Sequence, residues 1–452
     1  MAEAAAGGAV SASREAFSEG YRRWLLALLL VTYTLNFVDR TIVAVLAQPI
    51  KLELHLSDAQ LGVLGGLAFA AFYTTIGIPM ARLAERSSRV LIMGVCVAVW
   101  SVMTALGGVA RTFTQLALVR MGVGVGEAGF VPTAQSLISD HFPPARRATA
   151  LAVFTVGIPL GSLIGAVSGG WLAQNLSWRA AFFAVGAPGL IAALLIFTTF
   201  KEPPRGLHDV QTSDQTPSVW EVMRRLAAKR GVLLVLVGAT LASTAGYSVG
   251  GFLGAHLVRH FHMGYAQAGL VGGLIVGGPT CIGAFGGGPL SDLLGKRDKR
   301  AYAWVPAAGL LFATPFFAFA LVQPVWTSFF ALMLIGAAGQ QFYLAPTFAV
   351  VNNAMDARTR ATAVAFMTLC LNLLGLGLGP TLAGVLSDHF AGLLSAGTGL
   401  DVLKLCQAHG SSACDASATG LQYAMIVMTG LYGAGALAYL IAGRWLRRDL
   451  TS

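Results

Sequence analysis

Arg120 and Glu127 are the residues most able to do chemistry here. They stand in an apolar, glycine-rich run, Gln115 to Gly129. An ionised side chain at mid-bilayer costs ~2.5–3.5 kcal/mol even on the lenient insertion scale, so it faces a partner or a water-filled cavity. Seven residues apart on a helix, the two share a face and lie about 10 Å apart along the axis. Such a base and acid can bind an anion, exchange a proton, or do no more than lock two helices together. A second charged pair, Asp39 and Arg40, interrupts another apolar run, with Asn36 one turn before it. Adjacent residues point roughly 100° apart. A regular helix therefore cannot turn both to one partner, and one of them is expected to face a central cavity and the other a neighbouring helix. Asp39 and Arg120 are expected at similar depth and are candidate partners. The alternative for Arg40 is snorkelling to the outer headgroups.

These residues need a membrane-spanning scaffold, and the composition supplies one. The 452 residues are 56% hydrophobic and 11% charged, with mean hydropathy +0.70. A spanning helix takes ~20 apolar residues. Twelve candidate spans follow: 24–46, 58–84, 90–110, 113–139, 147–173, 179–200, 231–257, 264–291, 301–323, 326–351, 361–388 and 419–443. No cleavable signal peptide is evident, because the first apolar run is too long for one.

The net charge of +10 would suit nucleic acid, but its placement argues against that partner. Nearly all Lys and Arg fall in alternate loops and at the termini. The opposite side carries only Lys51, Arg111, Arg179, Arg259 and Lys404, and Arg40 and Arg120 remain within spans. This asymmetry predicts both termini in the cytoplasm. The lipid bilayer is partner enough for the basic charge. Of five cysteines, Cys96, Cys281 and Cys370 fall in spans as packing residues, while Cys406 and Cys414 share an outer polar loop where a disulfide is permitted.

The chain repeats itself. His55-Leu-Ser-Asp-Ala-Gln-Leu-Gly-Val-Leu-Gly-Gly-Leu67 matches His262-Met-Gly-Tyr-Ala-Gln-Ala-Gly-Leu-Val-Gly-Gly-Leu274, and Arg147-Ala-Thr-Ala150 matches Arg360-Ala-Thr-Ala363. Six spans followed by six related ones form the parallel repeat of a secondary transporter, with a site near the midplane between halves. The repeat aligns Asp39 and Arg40 with Gly246 and Tyr247, and Arg120 and Glu127 with Leu334 and Gln341. Buried charge is therefore expected only in the N-terminal half. The expected divisions are a segment 1–23, a bundle 24–200, a linker 201–230 whose end forms a short amphipathic helix, a bundle 231–443 and a tail 444–452.

Gly288-Pro-Leu-Ser-Asp-Leu-Leu-Gly-Lys-Arg297 resembles the signature of the major facilitator superfamily between the second and third helices of each half. The N-terminal copy, Ala81-Arg-Leu-Ala-Glu-Arg-Ser-Ser-Arg89, has drifted, with Ala81 and Ser88 replacing glycines and Glu85 replacing aspartate. The resemblance implies an all-α integral membrane protein with the twelve-helix fold, two six-helix bundles related by pseudo-two-fold symmetry. It also implies a cytoplasmic gate at Glu85, Arg89, Gly288, Asp292, Gly295 and Lys296. Asn36-Phe-Val-Asp-Arg40, and Arg120 followed by Gly124-Val-Gly-Glu-Ala128, resemble the spinster-type transporters. Animal members move lysolipids and sphingosine phosphates, and the bacterial ones share the scaffold. Their acids imply proton coupling at Glu127 and Asp39, and their arginines imply substrate or salt-bridge roles for Arg40 and Arg120, with Asn36 a further candidate beside them. An inner-membrane location follows from the same likeness.

The glycine-rich stretch from Gly157 to Gly170 offers a smooth helix face, but its likeness to the superfamily's antiporter motif is loose and carries no conclusion. Ser243, Thr244, Tyr247, Gln340, Gln341 and Asn372 are the C-half polar residues that could line a cavity. Of these, Tyr247, Gln341 and Asn372 are the chosen candidates. His55 and His262 titrate in a useful range but fall at loop edges. Neither a phosphate-binding loop nor zinc-ligand spacing occurs, so no cofactor, metal or enzymatic role is expected. The expected function is proton-linked transport of an amphipathic organic anion or lysolipid by a monomer. A sugar-acid symporter and a non-transporting sensor are the rivals.

Overall fold

The computed structural model describes residues 17–204, 219–356, 359–396 and 412–451, which contain helices and no strand. The helices are α1 (Glu19–Val45), α2 (Ala47–Leu54), α3 (Asp58–Gly65), α4 (Leu67–Arg86), α5 (Arg89–Gly107), α6 (Phe113–Glu127), α7 (Phe130–His141), α8 (Pro144–Thr155), α9 (Gly157–Asn175) and α10 (Trp178–Thr199) in the N-terminal half. A short α11 (Val219–Ala228) leads to α12 (Arg230–Phe261), α13 (Tyr265–Gly295), α14 (Ala301–Leu321), α15 (Trp326–Gln340), α16 (Leu344–Ala354), α17 (Arg360–Cys370), α18 (Gly379–Ser395) and α19 (Ser412–Thr451). A 3₁₀ turn, Gln341–Tyr343, joins α15 to α16, and a π-helical stretch, Leu371–Leu378, joins α17 to α18.

Ten stretches among the described residues are long and apolar enough to cross a membrane. The remaining two expected spans are helical. One is α6 with α7, which breaks at Gly129 and carries Arg120 and Glu127. The other is α13. Helices overrun the apolar runs that foretold them: α1 starts at Glu19, where Ser18 caps it by accepting from the Tyr21 N–H, and α19 reaches Thr451. Apolarity marks what the bilayer needs, while capping and polar helix formers extend the helix into water. The amphipathic linker helix is α11. It buries Val222 and Leu226 and leaves Trp220 73% exposed.

The repeat is visible in the backbone. His55 and His262, at matching positions, both take φ of 53° and are the non-glycine residues with positive φ among those described. Each ends its helix in the left-handed region, a stop usually given to glycine or asparagine. Both histidines are solvent-exposed. The halves meet in two symmetry-related seams: α9 against α13, and α3 with α4 against the π stretch and α18. Gly157, Gly161, Gly165 and Gly169 fit α9 against α1, where a Cβ on Gly165 would lie 2.9 Å from Val38 Cα, while Gly170 faces Tyr265 and Gly269 of α13 across the seam.

The seams are tight at the end of the bundle remote from the chain termini, called here the far end. There Gly66 leaves no room for a side chain, because a Cβ would lie 2.6 Å from the Gly377 carbonyl oxygen. Toward the end bearing the termini, the glycine contacts on α13 stay within one half. On α13, Gly286 and Gly287 face Phe342, and Gly288 faces Ala345, all within their own half.

Candidate functional site

The four expected charges come together in the N-terminal half. Arg120 Nη1 donates to Asp39 Oδ1 at 3.1 Å, with side chains 2% and 1% exposed. Thr104, on α5, donates to the other oxygen of Asp39. Arg40 Nε donates to Glu127 Oε2 at 2.7 Å; Glu127 is fully buried and the Arg40 side chain is 17% exposed. The α1 neighbours serve different partners, Arg120 and Glu127, and both partners stand on α6. Arg120 and Glu127 are two turns apart on one face, and long guanidinium side chains span the offset. Snorkelling of Arg40 to headgroups is excluded by the same ion pair.

Aromatic rings surround these cations. The Arg40 guanidinium lies 4.6 Å from the Tyr73 ring centre, 5.0 Å from Phe69 and 5.2 Å from Phe37. Phe69 is shared, because Arg120 lies 5.2 Å from the same ring. A cation over a ring face is worth ~0.5–2 kcal/mol, more when desolvated. The break between α3 and α4 at Gly66 sets Phe69 in place: α4 begins beyond it, and the Phe69 N–H donates to the Gly66 carbonyl. Asn36 is fully buried on the α1 face that also bears Tyr33 and Arg40. Glu127 Oε1, Arg120 Nε and both Asn36 polar atoms make no hydrogen bond within the protein. The site therefore keeps bonding capacity in reserve beside its ion pairs.

Arg40 also lines a narrow crevice between the halves, with Val43, Ala47, Leu61, Gly251 and Pro380 among its walls. Tyr247, its partner in the repeat, comes from the other half, is 40% exposed and lies within electrostatic reach of Arg40. Gln341 and Asn372 are half-buried. Gln341 packs on Gly283, within the C-terminal half. Ser243 donates to the Leu371 carbonyl and spends its hydroxyl on the π stretch. Among the described residues there is no His, Cys, Asp and Glu cluster able to hold a metal.

The signature residues stay within their own halves. Arg89 pairs with Asp140 and with Glu202 at 2.7 Å, and donates to Ser136 and the Pro203 carbonyl, tying α5 to the ends of α7 and α10. Ser88, which replaces the family glycine, caps α5 and donates to Glu202. Asp292 accepts from the Tyr302 hydroxyl at 2.7 Å, and Gly295 makes room for that ring. Lys296 is exposed, and the Glu85 side chain lies outside the described residues. Among the described residues, no hydrogen bond or ion pair of Arg89 or Asp292 crosses between halves. Cys414 is disulfide-bonded, and Cys406 lies outside the described residues. Residues 1–16 and 205–218, parts of the expected N-terminal segment and linker, also lie outside them.

One expectation fails. Buried charge is not confined to the N-terminal half, since Arg259 of α12 is 8% exposed and chelates Asp58. Lys51 and Arg259 read as outer-surface cations in the sequence, but both are buried. Each lies at a span end, where a cation is ordinarily solvated, and only the folded chain brings residues 58 and 259 together.

Comparison with known proteins agrees with this architecture. A family model described as Major Facilitator Superfamily matches residues 29–380. A protein of Mycolicibacterium smegmatis named MFS-type efflux pump is 33% identical over 95% of this chain and 94% of its own length. Protein spinster homolog 1 of Xenopus tropicalis is 29% identical, covering 82% of this chain and 74% of the relative. The crystal structure of a bacterial homologue of the human lysosomal transporter Spinster, inward-facing and unoccupied, superposes with a TM-score of 0.88 at 34% identity, over 96% of this chain and 99% of that one. With its doubled bundle, its two α1–α6 ion pairs and these likenesses, the chain belongs to the major facilitator superfamily and is a spinster-like membrane transporter.

Proposed function

We propose that this transporter is proton-coupled and carries an amphipathic organic anion, of lysolipid type, between the halves by alternating access. It works as a monomer in a bacterial inner membrane with both termini cytoplasmic. The observation that carries the reading is the Arg40–Glu127 pair: the carboxylate is fully buried, while its arginine borders the crevice. A proton on Glu127 removes the charge that holds Arg40. The freed guanidinium then turns its donors to an anionic head group, which it binds in a fork geometry. Loss of the proton restores the ion pair and expels the anion. Proton and substrate thereby bias the same two-state equilibrium. Asp39, paired with Arg120, is the second candidate proton site. Phe37, Phe69 and Tyr73 offer apolar surface next to the head-group cation.

Reconstituted Glu127→Gln tests this. The wild type should accumulate an anionic lysolipid when a pH gradient is imposed, and Glu127→Gln should exchange substrate without responding to the gradient. Undiminished pH-driven uptake by the variant rejects Glu127 as the coupling group. A small organic anion is the second reading, favoured by how little enclosed room the crevice leaves beside Arg40. Competition between a lysolipid and a sugar acid for binding separates the two.

A further inference from the structure

The far end holds a second buried charge network, which straddles the halves. Asp58 opens α3 and is 1% exposed. Its carboxylate accepts from Arg259 Nη1 and Nη2, each at 2.7 Å, from Lys51 Nζ at 2.6 Å and from Ser387 Oγ at 2.6 Å. Arg259 Nε donates to Gln48 Oε1 at 2.7 Å. Asp388 of α18 accepts from the Asp58 N–H at 3.0 Å and the Ala59 N–H at 2.8 Å, capping α3 from the opposite half. Around Asp58 every lone-pair direction is used. This contrasts with the Glu127 site, where one oxygen has no protein partner.

The backbone around this network has a matching asymmetry. α3 belongs to the N-terminal half by sequence, yet its first two N–H groups are bonded to α18, and it packs along that helix. It is separated from α4 by Gly66, whose φ of −121° and ψ of −89° break the helix. Opposite this break runs the π-helical stretch Leu371–Leu378. Irregular turns of that kind inside helices recur at functional sites.

We propose that Asp58, Arg259, Ser387 and Asp388 form the latch that holds the far end of the transporter shut, and that α3 is carried by the C-terminal half until this latch is broken. The proposal rests on the alternating-access reading above, though not on the identity of the substrate or the coupling group. Asp58 is the hub, because a bidentate arginine and a hydroxyl from the opposite half converge on it. Lys51 anchors the same carboxylate to α2, so that release of Arg259 leaves Asp58 paired within its own half. The far end can therefore open without stranding a carboxylate, whereas Arg259 keeps only Ser417 Oγ of its own half, at 3.4 Å, and must find water or a further acceptor.

Spin-label distances in lipid nanodiscs test this. One label pair, Leu176→Cys with Leu393→Cys, reports the far end, and another, Leu83→Cys with Leu293→Cys, reports the opposite end; all four residues are exposed. Native Cys96, Cys281 and Cys370 are replaced by Ala. Arg259→Gln and Asp58→Asn should shift the far-end distances to longer values and shorten the opposite pair. Ser387→Ala and Arg259→Lys should give smaller shifts in the same direction, and they serve if a stronger variant does not fold. Arg179→Gln breaks the far-end pair with Glu53, which lies wholly within the N-terminal half, and should leave both distributions in place. A shift of equal size in Arg179→Gln overturns the latch as general loosening. If wild-type distances respond to an added anionic lysolipid while those of Arg259→Gln and Ser387→Ala match wild type, the latch fails and alternation stands. If neither wild type nor any variant leaves the closed far end, both fail together.

Discussion

Removing the carboxylate of Asp39 should damage the fold far more than removing that of Glu127. Asp39 and Arg120 are 1% and 2% exposed. Asp39→Ala leaves Arg120 with no anionic partner in a water-excluded place. Breaking a buried pair from one side costs about 3–5 kcal/mol. The Phe69 ring at 5.2 Å remains and offsets a part, on the order of 1 kcal/mol. A net loss of about 3 kcal/mol is expected. In Glu127→Gln the amide oxygen still accepts from Arg40, three rings still lie against the guanidinium, and the Arg40 side chain is 17% exposed to the crevice. That cost should be about 1 kcal/mol, the ordinary worth of one hydrogen bond. A gap of ~2 kcal/mol is roughly a thirtyfold difference in the folded-to-unfolded ratio. Denaturant titration of purified protein in mixed micelles resolves it. Adding Arg120→Met to Asp39→Ala should recover much of the loss, because no orphan cation is left. Equal costs for the two single variants, or no recovery in the double one, would refute this account of the site.

Three further outcomes follow from the geometry. Arg40→Lys keeps the charge but loses the planar fork, so binding of an anionic lysolipid, read by calorimetry, should weaken at least about tenfold, as expected for losing one charge-assisted contact. Gly66→Ala forces a methyl group toward the Gly377 carbonyl; overpacking of this kind costs ~1–3 kcal/mol, and the far-end label pair should lengthen. Burial pushes the Glu202 carboxyl up, but the Val90 N–H, Arg89 and Ser88 outweigh it and hold the group below its ordinary value of 4.5. Its contribution is thus present above 4.5 and is lost as pH falls through the lower folded value. Glu202→Gln should lower the midpoint of thermal unfolding at pH 7, with the difference shrinking in acid; a constant difference across pH would contradict the assignment.

The site was legible where charge is scarce. Asp39, Arg40, Arg120 and Glu127 stand alone within apolar runs, so each had to find a partner inside the bundle, and they found one another. The doubled architecture was legible because His55–Leu67 and His262–Leu274 repeat in register. The Asp58–Arg259 contact was hidden, since both residues occupy span ends where a surface role is the default, and 201 positions separate them. Phe69 was hidden for another reason: an aromatic residue in an apolar helix has no signature that tells a cation–π partner from a packing group. The signature residues Arg89 and Asp292 were recognised, but their bonds turned out to brace single halves. A motif's spacing does not record which conformation the partners are in.

Phe69 gives the site a property that neither ion pair has separately. One phenyl ring lies against two guanidinium groups held by two different acids, so tilting the ring changes the surroundings of both cations at once. Effects of substitutions at Arg40 and Arg120 should fail to sum. The ring also sits three residues past the Gly66 break, at the start of α4, which makes it a lever between the movement of that helix and the state of the charges.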